Sequence, residues 1–162
     1  MKTILFLSTG NDYLSRFSEY LFNYLAETRG LSWRAYSALL PVDKSHYSSN
    51  YSMGAIALEV ISELEKRGIS LDYSVRTIRP VSQINFKNAN KIIAIEESIY
   101  RPLMVKRYPS WVNTVEYWNI SDVKPASREL SLQQLEKRIN QIIDQFTPSR
   151  GNLASVWAGY DD

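Results

Sequence analysis

The chain has 162 residues, of which 44% are hydrophobic and 22% charged, the proportions of one globular domain with an ordinary core. It contains no cysteine, which excludes disulfide scaffolds, thiolate zinc sites and every form of cysteine catalysis. Nineteen basic residues against seventeen acidic ones give a formal net charge of +2 without a basic block, so nothing supports nucleic-acid binding.

Thr3-Ile-Leu-Phe-Leu7 is an apolar run suited to a strand buried on both faces. It is far shorter than the roughly 20 residues that cross a bilayer. Thr9-Gly10-Asn11-Asp12 breaks it before a signal-peptide pattern can form, and the expectation is a cytoplasmic protein without a membrane partner. From Leu14 the period changes: Phe17, Tyr20, Leu21, Tyr24 and Leu25 form one helical stripe, and Gly30 supplies its stop. Trp33 to Ser37 reads as a second strand, followed by a polar loop from about Asp43 to Ser52 that holds the single histidine, His46. With no second histidine to share a metal, His46 reads as a surface residue, and no metal is expected. A second helix is predicted from Ala55 to Arg67, with Leu58, Ile61 and Leu64 on one face and Gly68 at its end.

Lys91-Ile-Ile-Ala-Ile95 is a third strand, and Ser98 with Pro102 opens a helix that reaches Tyr108. Val115 to Trp118 is a fourth strand. Ser131-Leu-Gln-Gln134 has the form of a capping box, and Leu132, Leu135, Ile139, Ile142, Ile143 and Phe146 continue a last helix. This alternation implies an α/β fold with a parallel sheet between two helical layers. The body spans 1–146. The remainder, 147–162, follows a finished helix with Pro148 and Gly151 and reads as a C-terminal tail, either frayed or a docking peptide anchored by Trp157 and Tyr160.

In parallel sheets ligands sit beyond the carboxyl ends of the strands. Ser8-Thr9-Gly10-Asn11-Asp12-Tyr13-Leu14-Ser15 joins the first strand to the first helix, where unpaired backbone N–H groups and the helix dipole favour an anion. In this frame the sequence resembles the low molecular weight protein tyrosine phosphatases and the related arsenate reductases. Their loop reads C-x-G-N-x-x-R-S, with cysteine as nucleophile, arginine as phosphate clamp and serine as hydrogen-bond donor to the thiolate. Arg16-Phe-Ser-Glu19, Trp33-Arg-Ala-Tyr-Ser37, Arg79-Pro80, Lys91 to Glu96 and Tyr117-Trp-Asn-Ile-Ser-Asp122 follow in the family's order. The resemblance implies a three-layer sandwich with a four-stranded parallel sheet in the order 2-1-3-4, and no cofactor.

The departures from the family pattern bear on function. Ser8 stands at the nucleophile position, and a serine hydroxyl needs an adjacent base that the loop does not supply. Leu14 stands at the arginine position and can neither bind two phosphate oxygens nor neutralise developing charge. Such electrostatic contributions are often worth about 3 kcal/mol per donor, so both losses together imply negligible turnover. Asp12 adds a carboxylate to the loop; aimed inward at ~6 Å it would repel each phosphate charge by about 3 kcal/mol at an effective dielectric of ~20. Arg16 lies two residues past the arginine position, rotated roughly 200° on a helix, and is not expected to substitute. Asp122 falls at the position of the family's general acid, but without the usual aromatic pair, since Lys124, Pro125 and Ala126 follow.

The expectation is therefore a pseudophosphatase that keeps the scaffold and binds a protein partner or a weak anion in the altered loop. Three alternatives stand beside it. One is an active phosphatase altered at Ser8 to trap substrate, against which Leu14 and Asp12 argue. Another is a flavodoxin-like FMN carrier, because Ser8-Thr-Gly-Asn11 also resembles the flavodoxin phosphate loop, with Trp111 or Trp118 beside the flavin. The last is an interaction module that works through its 11 tyrosines and 4 tryptophans.

Overall fold

Strand β1 (Lys2–Ser8) is apolar on both faces because it lies in the middle of the sheet, between β2 (Trp33–Leu39) and β4 (Lys91–Ala94). Its alternate side chains enter different cores. Ile4 and Phe6 join the layer formed by α1 (Tyr13–Thr28), α2 (Leu58–Lys66) and α5 (Arg128–Phe146), whereas Leu5 and Leu7 join the opposite layer, with Phe86 of α3 (Gln83–Asn88) and Met104 of α4 (Glu97–Arg107). All four are fully enclosed, and burying such a side chain is worth about 1.5–3 kcal/mol. The computed structural model describes residues 1–9, 13–40, 58–71, 78–121 and 128–148.

The sheet has five parallel strands in the order β3-β2-β1-β4-β5, with β3 at Arg79–Pro80 and β5 at Glu116–Tyr117. The expected order is present in β2-β1-β4-β5; the expectation of four strands is corrected by the edge strand β3. Only two residues long, β3 carries no periodic signal, and Pro80 is tolerated because an edge strand can do without its N–H. Helix α3 was likewise not anticipated; the Asn85 side chain accepts the Ser82 backbone N–H at 2.8 Å at its start. A crossover reverses direction between β1 and β4, so the crevice above their carboxyl ends is the switch point.

Both predicted glycine stops hold. Gly30 and Gly68 adopt positive φ of 67° and 79°, and the pairs Leu31 N–H to Ala26 O and Ile69 N–H to Leu64 O, each 2.9 Å, close the helix ends. Other details differ. Helix α5 begins at Arg128, so Ser131 is no cap; its hydroxyl instead donates to Ser121 O at 2.6 Å. Pro102 lies inside α4, which starts at Glu97. Tyr24 and Leu58 are exposed, and α2 turns Val60 and Leu64 inward. Residues 41–57, which include the expected polar loop with His46 and the expected helix start at Ala55, and residues 149–162 of the expected tail, with Trp157 and Tyr160, lie outside the described residues. Among the described residues no helix is long and apolar enough to cross a membrane.

Candidate functional site

Ser8 ends β1 at the switch point and is fully buried. Its backbone is held by β2, where it pairs with Leu39, and its carbonyl accepts the Leu40 N–H at 2.6 Å. Thr9 is half-buried, and Gly10, Asn11 and Asp12 lie outside the described residues. The chain is described again from Tyr13, the first residue of α1. The two ends of the loop are thus fixed as a strand end below and a helix N-terminus beside it, the arrangement that presents backbone N–H groups to an anion.

The next side chains are more informative. Leu14 is 7% exposed and belongs to the core cluster shared by α1, α2, α5 and one face of the sheet. An aliphatic group at the arginine position has become part of the hydrophobic interior. Ser15 is also buried, and its carbonyl accepts the Ser37 hydroxyl from β2 at 3.4 Å. Arg16 is fully enclosed along with Glu19, which is 3% exposed. Its Nη2 donates to the Tyr20 hydroxyl at 3.3 Å, Nη1 lies 3.9 Å from the Glu19 carboxylate, and the guanidinium sits 5.4 Å from the Tyr20 ring centre. These contacts run down the helix, away from its first residue.

The segment after β5 continues beside the end of β4. Trp118 N–H donates to Ala94 O at 2.8 Å and Ile120 N–H to Ile95 O at 3.0 Å, so the chain follows β4 past its end before it reaches Ser121. Ser131 then fixes Ser121 through its carbonyl. Asp122 comes next and lies outside the described residues, as do Lys124, Pro125 and Ala126. The chain resumes with Arg128, whose guanidinium lies 4.2 Å from the ring centre of Tyr13. Sequence reasoning did not single out this arginine. The available signal was a cation in the first turn of the last helix, where the dipole favours an acid.

The tryptophans considered for a flavin are engaged elsewhere. Trp118 is 1% exposed, edge-on to Phe6 at 6.3 Å, and its Nε1 donates to Glu116 at 2.6 Å. Trp111 stacks on Phe86 at 5.6 Å and donates to Gln83 at 2.8 Å. Among the described residues no group of three or more histidines, aspartates or glutamates could hold a metal ion.

Comparison with known proteins agrees with this architecture. A low molecular weight protein tyrosine phosphatase from T. tengcongensis superimposes with a TM-score of 0.71 at 21% identity, covering 90% of this chain and 99% of the other. SP-PTP, the corresponding phosphatase from Streptococcus pyogenes, gives 0.71 at 17% identity, covering 95% and 98%. A cysteine-to-serine mutant of the YwlE arginine phosphatase with a phosphorylated active-site serine gives 0.70 at 19% identity, covering 91% and 97%. No curated protein matches the chain by sequence. The sequence model for low molecular weight phosphotyrosine protein phosphatase matches residues 3–150, nearly the whole chain, and the protein therefore belongs to that family.

Proposed function

We propose that this member of the family is a pseudophosphatase, a scaffold that binds a protein partner or a weak anion through the altered loop and does not turn over phosphoesters. The observation that carries the reading is the pair of residues at the loop's two chemical positions. Ser8 stands where the family pattern has its thiolate, in a chain without any cysteine, and Leu14 is packed into the core where the pattern has its cation.

The physical case is that phosphoester cleavage needs an activated nucleophile and compensation of the charge on the transferring phosphoryl group. A helix N-terminus depresses a thiol pKa to near neutrality, but a hydroxyl starts far too high for the same field to ionise it at pH 7. Asp122, even held in the family position, would have no leaving group to protonate.

The test is steady-state hydrolysis of an aryl phosphate by the wild-type chain and by Ser8→Ala. Equal, background rates are expected; turnover removed by Ser8→Ala would refute the proposal. A companion variant, Ser8→Cys with Leu14→Arg, asks whether the remaining pocket is competent, and recovered activity would trace the loss to these two positions.

A further inference from the structure

Each residue of a strand turns its backbone N–H and C=O to one side, and successive residues alternate. Along β2 the even-numbered positions face β1: Lys2 N–H donates to Ser32 O at 3.0 Å and Leu40 N–H to Ser8 O at 2.6 Å, just before and just after the strand. Trp33, Ala35, Ser37 and Leu39 therefore face away from β1. The Leu39 carbonyl accepts the Val81 N–H at 2.7 Å, but β3 pairs only with Ala38 and Leu39. Among the described residues no strand runs beside Trp33 to Ser37 on that side.

An open sheet edge of this kind is a template for another chain. Here one side chain closes it. Asn23 of α1 accepts the Ala35 N–H on Oδ1 at 2.7 Å and donates from Nδ2 to the Ala35 carbonyl at 3.0 Å. A carboxamide carries the donor and the acceptor of a peptide group, so Asn23 takes the place that a peptide unit of a further strand would occupy. We propose that Asn23 is an edge guard, which keeps β2 from pairing with β2 of a second copy of this chain.

The packing explains how a helix residue reaches a strand backbone. Ala35 is 2% exposed and belongs to the core cluster that α1 shares, and its small side chain lets the helix approach closely. Asn23 itself is half-buried. Two residues before Ala35, the Trp33 ring stacks on Phe146 at 3.9 Å and ties the strand to α5. The segment Trp33-Arg-Ala-Tyr-Ser37 has β-favouring aromatic residues, a single charge and no proline. In an antiparallel pair centred on a two-fold axis, the two Ala35 residues would exchange both of their N–H···O bonds, the same groups that Asn23 holds. Guarding and pairing are therefore mutually exclusive. Asn23 lies about 15 Å along α1 from Tyr13, and the inference does not depend on the chemistry of the loop.

The experiment compares the full wild-type chain with Asn23→Leu and Asn23→Ala, by amide hydrogen exchange and by sedimentation velocity over about a hundredfold range of protein concentration. Arg67→Ala, which breaks a contact between α2 and α5, is the control for stability lost elsewhere. Asn23→Leu keeps the size of the side chain and removes both bonds. Asn23→Ala, shorter and favoured in a helix, keeps the test open where leucine is not accommodated. In dilute solution the Ala35 amide is expected to exchange at least tenfold faster in the Asn23 variants than in wild type. As concentration rises the variants should form dimers that wild type does not, with protection returning at Trp33 and Ala35. Variants that sediment as wild type at every concentration overturn the proposal, as does association no stronger than that of Arg67→Ala. Association that leaves the Trp33 and Ala35 amides in fast exchange overturns it as well, because the contact then lies elsewhere.

Discussion

Replacing Leu14 by arginine restores the family's residue but removes a piece of this protein's core, and the two effects can be separated. Leu14 is 7% exposed, so its burial is worth about 2–3 kcal/mol. If the new guanidinium turns out toward the loop, that stabilisation is lost and a void remains, for a total of about 2–5 kcal/mol, as in other large-to-small core changes. If it stays inward, an ion is desolvated at a cost of several kcal/mol more. A domain of this size loses roughly 2–4 °C of melting temperature per kcal/mol, so a drop of at least about 4 °C is expected. Urea and thermal unfolding of Leu14→Arg, with and without inorganic phosphate, provide the assay. A variant as stable as wild type, within about 0.5 kcal/mol, would refute the placement of Leu14 in the core and weaken the case for lost chemistry, because the position would then tolerate a loop-facing cation at no cost.

Ser18 is fully buried, and among the described residues its hydroxyl has no hydrogen-bond partner; an unsatisfied buried hydroxyl costs about 1–3 kcal/mol, so Ser18→Ala is expected to raise stability, and a decrease in the denaturation midpoint would contradict this. Arg67 joins α2 to α5: Nη1 reaches Glu63 at 2.9 Å, Nε bonds to Glu136, and the guanidinium lies 5.1 Å from the Phe17 ring centre. Arg67→Ala should cost about 1–3 kcal/mol, and a double-mutant cycle with Glu136→Gln should show coupling; strict additivity would remove the bridge from the account. Burial pushes the Glu116 carboxyl up, but hydrogen bonds from Trp118 and Lys91 and the charges of Lys91 and Arg138 outweigh it and leave its pKa below the ordinary 4.5. A lowered carboxylate contributes stability that is present above the unfolded value and lost as pH falls through the folded one. Wild type should therefore lose stability more steeply than Glu116→Gln below about pH 4.5, and parallel acid-unfolding curves would contradict the assignment.

The strands and long helices were readable because buried parallel strands are continuously apolar and helices repeat every 3.6 residues. The glycine stops were readable because Gly30 and Gly68 adopt a backbone conformation that other residues avoid. Arg79–Pro80 and Gln83–Asn88 were not, since two and six residues are too few to establish a period. The position of the candidate loop followed from its motif frame. Residue type gives no side-chain direction, however, and the commitment of Leu14 to the interior appeared only in the packing. The pairing of Tyr13 with Arg128 joins the first helix to the last, a contact that no local pattern encodes. Ser131 shows a related failure: a capping-box pattern occurred inside a helix, where the hydroxyl found a carbonyl of the preceding loop.

Whether Ser8 can accept a phosphoryl group is the most direct question. A serine at the active site of a cysteine-to-serine mutant of the YwlE arginine phosphatase is found phosphorylated, so such an adduct is attainable in that protein. Intact-protein and peptide mass spectrometry after prolonged incubation with an aryl phosphate would detect even a single transfer that steady-state rates overlook. Unmodified Ser8 is expected in the wild-type chain; a phosphoseryl adduct at that residue, absent from Ser8→Ala, would contradict the pseudophosphatase reading.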